Sequence, residues 1–305
     1  MNKIQTIIFS YDRAMQLSYL IESYIRQQTT ILDLFIIYSY SSPEYKEAYD
    51  IIIEKYPNIN WNKETRFHQK TYNKPWNFSY IWNYYWWIKY PFLRTKKSNF
   101  RDILLNILKQ REYPFVMFLT DDSFFLRNID IVEQSLQEIR QLPQKTSYSL
   151  RHGANLRGGI YDQNSQIIHF NVYENDIKTD WGYPFSVDGH IYDRETINRI
   201  SRKVLFNNPN TYESNIMTFV HRKKLFQTII SNKESMLIGF ELNRVQDIYA
   251  NNNIGISQQE LNSYFKKGYS LFIEFDPVVD SFRPHVQKVF VLRDEKKILI
   301  YPTEK

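Results

Sequence analysis

Apolar residues in the first half of the chain come in short runs separated by stretches of helical spacing. Ile4 to Phe9 is a brief run rich in β-branched residues, as a buried parallel strand would be. Leu17, Leu20, Ile21, Tyr24 and Ile25 then recur at helical intervals and predict one apolar stripe. Leu32 to Tyr38 predicts a second strand, Ser39 to Pro43 a turn, and Glu44 to Lys55 a second helix ended by Pro57. Ile59 to Trp61 predicts a short third strand. Strand and helix alternating at this pace imply right-handed βαβ crossovers, hence an α/β chain with a mixed, mainly parallel sheet. Loops at the carboxyl ends of such strands form the ligand crevice, which puts Ser10 to Arg13 and Ser39 to Ser42 at a binding edge.

Trp76 to Phe92 is dense in aromatics and reads as an insertion or as a helix packed on many sides. Phe100, Ile103, Leu104, Ile107 and Leu108 form a clean amphipathic helix. Phe115 to Thr120 is wholly apolar up to its last residue, so it predicts a central strand, and it runs straight into Asp121-Asp122-Ser123. A helix is expected after Asp130, with Val132, Leu136 and Ile139 on one face and Pro143 beyond its end. Thr146 to Asp193 has a broken pattern that suggests irregular strands and loops. Asp193 can cap a helix from Arg194, and the break at Asn207 to Asn210 precedes another from about Thr211. Ser257-Gln258-Gln259-Glu260 spells a capping box, Gly268 marks that helix's stop, and Leu271 to Phe275 and Val286 to Leu292 predict late strands. With no repeat and no flexible linker, a single domain over 1–305 with an elaborated second half is expected.

Composition narrows the partners. At 305 residues, 43% hydrophobic and 24% charged, the chain is ordinary for a globular protein rather than a disordered one. Aromatics reach 17%, which suits sugar stacking and membrane interfaces alike, or reflects only a Tyr- and Asn-rich bias. A net charge of +6 attracts anions. The Lys and Arg are scattered and no nucleic-acid motif accompanies them, so no nucleic-acid partner is expected. The absence of cysteine excludes disulfides, thiolate metal sites and a Cys nucleophile, and fits a cytoplasmic setting. The first apolar run is too short for a signal-peptide core, and no stretch approaches the roughly 18 apolar residues of a transmembrane helix.

Two adjacent acids at the end of an apolar strand must face water or an ion, because burying them unpaired would cost several kcal/mol. Hard divalent cations take carboxylates together with substrate phosphates, so Asp121-Asp122-Ser123 reads as a metal site or else as an acidic turn capping the next helix. Ser10-Tyr11-Asp12-Arg13 offers backbone N–H groups and a stacking ring to a nucleotide, or is an ordinary turn with Asp12 as cap. Glycine-rich phosphate loops, a Gly-x-Ser-x-Gly elbow and zinc spacing among the six histidines are all missing.

Ser10-Tyr11-Asp12 and Asp121-Asp122-Ser123 match, in order, spacing and strand context, the GT-A-fold glycosyltransferases, and the chain resembles their family-2-like group over roughly residues 3 to 130. The resemblance implies a GT-A-like, Rossmann-type three-layer sandwich, with 1–130 binding the nucleotide sugar and 131–305 the acceptor. It places Ser10, Tyr11 and Asp12 in the nucleotide pocket and Asp121 near the ribose or metal. Asp122 would hold the Mn²⁺ or Mg²⁺ that bridges the diphosphate, with His285 as a late ligand. Among Arg66, His68 and Lys70 it favours Arg66 for the donor phosphates, and it makes Arg244 a weaker candidate. Glu213 stands roughly where the family puts its base; Asp188, beside Gly189, is the second choice, and Trp181-Gly182-Tyr183 could stack on a sugar. One departure is the lack of an acid after the second strand, where relatives read uracil: Ile37 to Ser42 carries none. The implied reaction moves a sugar from a nucleotide-diphosphate donor to a glycan or lipid-linked acceptor, in the setting of cell-surface polysaccharide assembly. Rival readings are a sugar nucleotidyltransferase and a non-catalytic module that binds glycan, or a membrane's inner face, through the aromatic stretch.

Overall fold

Strand β1 (Ile4–Tyr11) shows why the sheet is covered on both sides. Ile4 and Ile8 face one apolar cluster, and Ile7 and Phe9 face the other. The computed structural model describes residues 3–27, 29–71, 88–89, 95–156, 158–162, 164–243, 254–275 and 286–302, with backbone alone for 67–71 and 95–97. Almost all of the aromatic stretch Trp76 to Phe92, together with Arg244 and His285, lies outside them.

Helix α1 (Ala14–Ile25), strand β2 (Leu32–Ser39), helix α2 (Pro43–Lys55) and strand β3 (Asn60–Lys63) follow as the sequence pattern predicts. Pro43 opens α2 at a position where its missing N–H costs nothing. Strands β4 (Arg66–Thr71) and β5 (Thr95–Ser98) pair with each other, and helix α3 (Phe100–Ile107) leads to β6 (Phe115–Thr120). The short β7 (Ser123–Phe125) and helix α4 (Glu133–Gln141) come next. Val132 differs from expectation: it is the N-cap of α4 and stands 36% exposed, so the buried face is Ser135, Leu136 and Ile139.

The broken pattern from Thr146 hides three strands, β8 (Thr146–Ser149), β9 (Ile167–Asn171) and β10 (His190–Asp193). They are short and rich in Ser, Thr and His, which is why periodicity alone does not reveal them. Helices α5 (Arg194–Lys203) and α6 (Pro209–Lys223) precede β11 (Thr228–Asn232) and β12 (Leu237–Gly239). Asp193 caps α5 as expected, accepting from the Thr196 N–H at 2.7 Å. Helix α7 (Gln258–Lys266) starts after Ser257, but the Ser257 side chain makes no capping hydrogen bond, so the expected capping box is absent. Gly268, at φ +81°, ends the turn that follows.

Eight strands form one sheet in the order β3-β2-β1-β6-β10-β8-β11-β9. The pairs β3-β2, β2-β1, β1-β6 and β8-β11 are parallel, whereas β10 runs antiparallel to both its neighbours and β9 to β11. The expected mixed, mainly parallel α/β sheet is thus borne out. One cluster packs α1, α2 and α4 against the sheet, and the other packs α3, α5 and α6. Strands β13 (Ser270–Phe275), β14 (Val286–Arg293) and β15 (Lys296–Tyr301) make a separate antiparallel sheet. It joins the first cluster through residues such as Ile273 and Val289. Among the described residues no helix is long and apolar enough to cross a membrane.

Candidate functional site

Parallel strands β1 and β6 end side by side, with Phe9 opposite Thr120. The residues just beyond them floor a cleft of about 990 Å³. The site therefore lies at the carboxyl edge of the parallel strands, where the alternation of elements puts it. Ser10, Tyr11, Asp121 and Asp122 all line this cleft, and so do Arg66, Asp188 and Glu213 from elsewhere in the chain. Seven of the nine expected site residues therefore meet in one place.

Asp12 is not among the lining residues. It sits at φ 56°, a left-handed conformation that Asp tolerates better than most residues, and its carboxylate accepts from the Ser41 N–H at 2.8 Å. It fastens the end of β1 to the turn after β2 rather than capping α1, whose N-cap is Arg13. Ser10 shares a 2.6 Å hydrogen bond with the Tyr49 hydroxyl, which also accepts from the Arg13 N–H. The Arg66 guanidinium lies over the Tyr11 ring, 4.7 Å from its centroid. Trp181 is 1% exposed, stacked on Tyr161 and edge-on to His152, so it packs and is closed to a sugar ring; Tyr183 does line the cleft.

The aspartate pair has a partner that the sequence reading overlooked. The Arg13 Nη1 donates to Asp121 at 3.0 Å and to Asp122 at 2.8 Å. Its Nε donates to Asn243 Oδ1 at 2.9 Å, and its Nη2 to the Asn243 carbonyl. The second Asp121 oxygen accepts from the Tyr11 N–H at 3.3 Å. Burial works against the charge on Arg13, but the two carboxylates outweigh it and hold the guanidinium firmly protonated. Burial drives Asp121 above the usual carboxylate range, with Arg13 opposing and Asp122 reinforcing the rise. Burial also acts on Asp122, but Arg13 prevails and keeps it below that range. Locally the sequence shows only an Arg after Ser-Tyr-Asp, which does not by itself point to this contact.

These residues do not fit a resident divalent cation well. Arg13 bridges both expected carboxylate ligands, the Thr120 hydroxyl also reaches Asp122, and no group of three metal-ligating side chains occurs among the described residues. The expected partner His285 is not described.

The opposite wall holds the other acids. Asn208 caps α6, accepting from the Thr211 N–H at 2.8 Å while Thr211 answers the Asn208 N–H, and this sets the first turn that carries Glu213. Glu213 accepts from the Val187 N–H at 3.1 Å. Burial pushes its carboxyl up to about 7 and the Asp188 charge adds to the rise, against the Val187 and Ser186 hydrogen bonds and Arg151. Asp188 accepts from Ser123 at 2.7 Å and pairs with Arg151. Gly189 holds φ +77°, and a Cβ there would come within 2.5 Å of Leu237, so the turn bearing Asp188 requires glycine. Glu64, just past β3, and Glu241 also line the cleft. Glu64 comes from a polar segment and Glu241 from an apolar one, neither with a motif, and only the fold brings them to the site.

No protein-family model matches the chain. Among curated proteins, the bifunctional glycosyltransferase pgtA of Dictyostelium discoideum is 23% identical over 341 residues, covering 95% of this chain and 39% of that protein. The chain thus spans well under half the length of the relative it matches. Among solved structures, Staphylococcus aureus TarS 1-349 aligns with 77% of this chain and 59% of its own at 14% identity and a TM-score of 0.43. The same protein in complex with UDP-GlcNAc aligns over 77% and 57% at 15% identity and 0.42. The resemblance to glycosyltransferases read from the Ser-Tyr-Asp and Asp-Asp-Ser segments is borne out by a similarity that runs along nearly the whole chain.

Proposed function

We propose, from kinship with a glycosyltransferase along 95% of its length, that this chain transfers a sugar from a nucleotide-diphosphate donor to a hydroxyl of a glycan or lipid-linked acceptor. The observation that carries the reading is the placement of Glu213, a carboxyl raised to about 7, across one cleft from the nucleotide-side residues Ser10, Tyr11 and Asp121. A general base works best when its pKa lies near the operating pH. Glu213 takes the proton of the acceptor hydroxyl as that oxygen bonds to the anomeric carbon. The bond from that carbon to the diphosphate oxygen breaks, and the diphosphate leaves with the electron pair. Such a single displacement inverts the anomeric centre. Arg66 stacks on Tyr11 at the mouth of the cleft, where its charge meets the donor phosphates. Arg151 pairs with Asp188 and orients it beside Glu213.

The test is a panel of UDP-, GDP-, CMP- and dTDP-sugars offered with oligosaccharide and lipid-linked acceptors, following release of the nucleotide and the anomeric signal of the product. One donor should turn over, with inversion, and Glu213→Gln should lower that turnover by about 10²- to 10⁴-fold. Retention of configuration would remove Glu213 from the role of base. Failure of every donor would leave the chain as a binding module.

A further inference from the structure

Resting on the transferase reading, we propose that Arg13 is the resident cation of the Asp121–Asp122 pair, and that a nucleoside diphosphate docks beside it without a divalent metal. Four of the five N–H bonds of a guanidinium are already engaged: two on the aspartates, two on Asn243. The side chain is 7% exposed, and so is nearly stripped of water. For a metal ion to take both carboxylates, the guanidinium would have to give up its counter-charges while still enclosed. Breaking such a buried pair leaves an enclosed charge uncompensated, and the incoming ion would have to offset that loss.

Asn243 makes the arrangement more than an ion pair. Its side-chain oxygen accepts from Arg13 Nε at 2.9 Å and from the Gln16 amide at 3.1 Å, which fixes the orientation of the amide. The Asn243 Nδ2 is thereby left over. It is buried in a residue that lines the cleft and has no hydrogen-bond partner among the described residues. A buried donor of this kind wants an acceptor, and the oxygens of a diphosphate supply one. The remaining Arg13 N–H and the Asn243 amide form two donors held in place by the fold, in the cleft that Arg66 also lines. This is the anion-binding equipment that a bridging metal would otherwise provide.

The experiment is calorimetric titration of the full chain with UDP, GDP, CDP and dTDP, each in EDTA and in Mn²⁺. The diphosphate that binds should do so in EDTA within about threefold of its affinity in Mn²⁺, and Mn²⁺ alone should give no binding heat. Binding that appears only with Mn²⁺, or tightens by more than about tenfold, overturns the proposal and leaves the transferase reading standing. Absence of binding in both conditions overturns both. Arg13→Met should lose most of its affinity in EDTA and regain it with Mn²⁺, because the freed carboxylates then take the ion; wild-type affinity in EDTA would overturn the proposal. Should that variant fail to fold, Asn243→Ala keeps the charge pair and removes only the anchor and the free amide. Weaker binding in EDTA is expected for it, and an unchanged dissociation constant counts against the proposal.

Discussion

Glu213 receives one N–H bond from Val187 and faces the charge of Asp188, and its carboxyl holds its proton up to about pH 7. Two consequences separate its role in chemistry from its effect on folding. For a base that must be ionised, the turnover rate should climb with pH through an apparent pKa near 7, and Glu213→Gln should abolish that limb along with most of the rate. For stability the sign is opposite. The folded chain binds this proton more tightly than the unfolded chain, so the contribution of Glu213 to stability is fully present below about 4.5 and is lost as pH rises to about 7. Denaturation by urea across that window should show the slope in the wild type and a flatter one in Glu213→Gln. Equal slopes would mean that the carboxyl titrates normally. Glu213 and Asp188 could be proposed from sequence because each sits in a recognisable local setting, a helix start and an Asp-Gly turn. Arg13 could not: its meaning depends on Asn243, 230 residues away, and on two acids more than a hundred residues away.

Helix α6 carries Glu213 into the cleft, and its first turn rests on the reciprocal bonds of Asn208 and Thr211. Asn208→Ala should cost about 1 kcal/mol of stability, read as a lower urea midpoint with an unchanged m-value. Because the helix stays packed on Phe118, Phe185 and Phe206 through Tyr212, donor binding should survive the loss of the cap. Boundaries set by such local chemistry were legible at Asp193 before α5 and Gly268 after α7, whereas Pro43, expected in the preceding turn, is the first residue of α2. Ser257 was misleading, since a matching tetrapeptide does not oblige the side chain to turn back onto the helix. Val132 was misleading in the same way, an apolar residue at the right spacing that falls one step outside the helix and into solvent.

The floor of the cleft and the core are one object at the scale of the molecule. Phe118, midway along the central strand β6, meets Phe9 of β1, Phe185 of the loop before Asp188, and Tyr212 of α6. Phe118→Ala should therefore cost about 3–5 kcal/mol and lower the midpoint of thermal unfolding reported by every probe together, rather than loosening one wall of the site. An unfolding transition that split into two would show that the halves of the chain are not joined as the shared sheet implies. Along the chain, the hydrophobic pattern already specified the β1-α1-β2-α2-β3 run, the central place of β6 and the carboxyl-edge position of the acids, because each follows from periodicity and from the handedness of crossovers. Three matters needed the folded molecule. The polar strands β8, β9 and β10 join the sheet because their neighbours' backbones are there to be paired, which no local pattern records. The two walls of the cleft face each other because α6 packs onto the back of β6. The charge that answers Asp121 and Asp122 is an arginine of the same chain, because burial leaves Asp121 almost no water and Asp122 little, and Arg13 is the cation the fold brings to both.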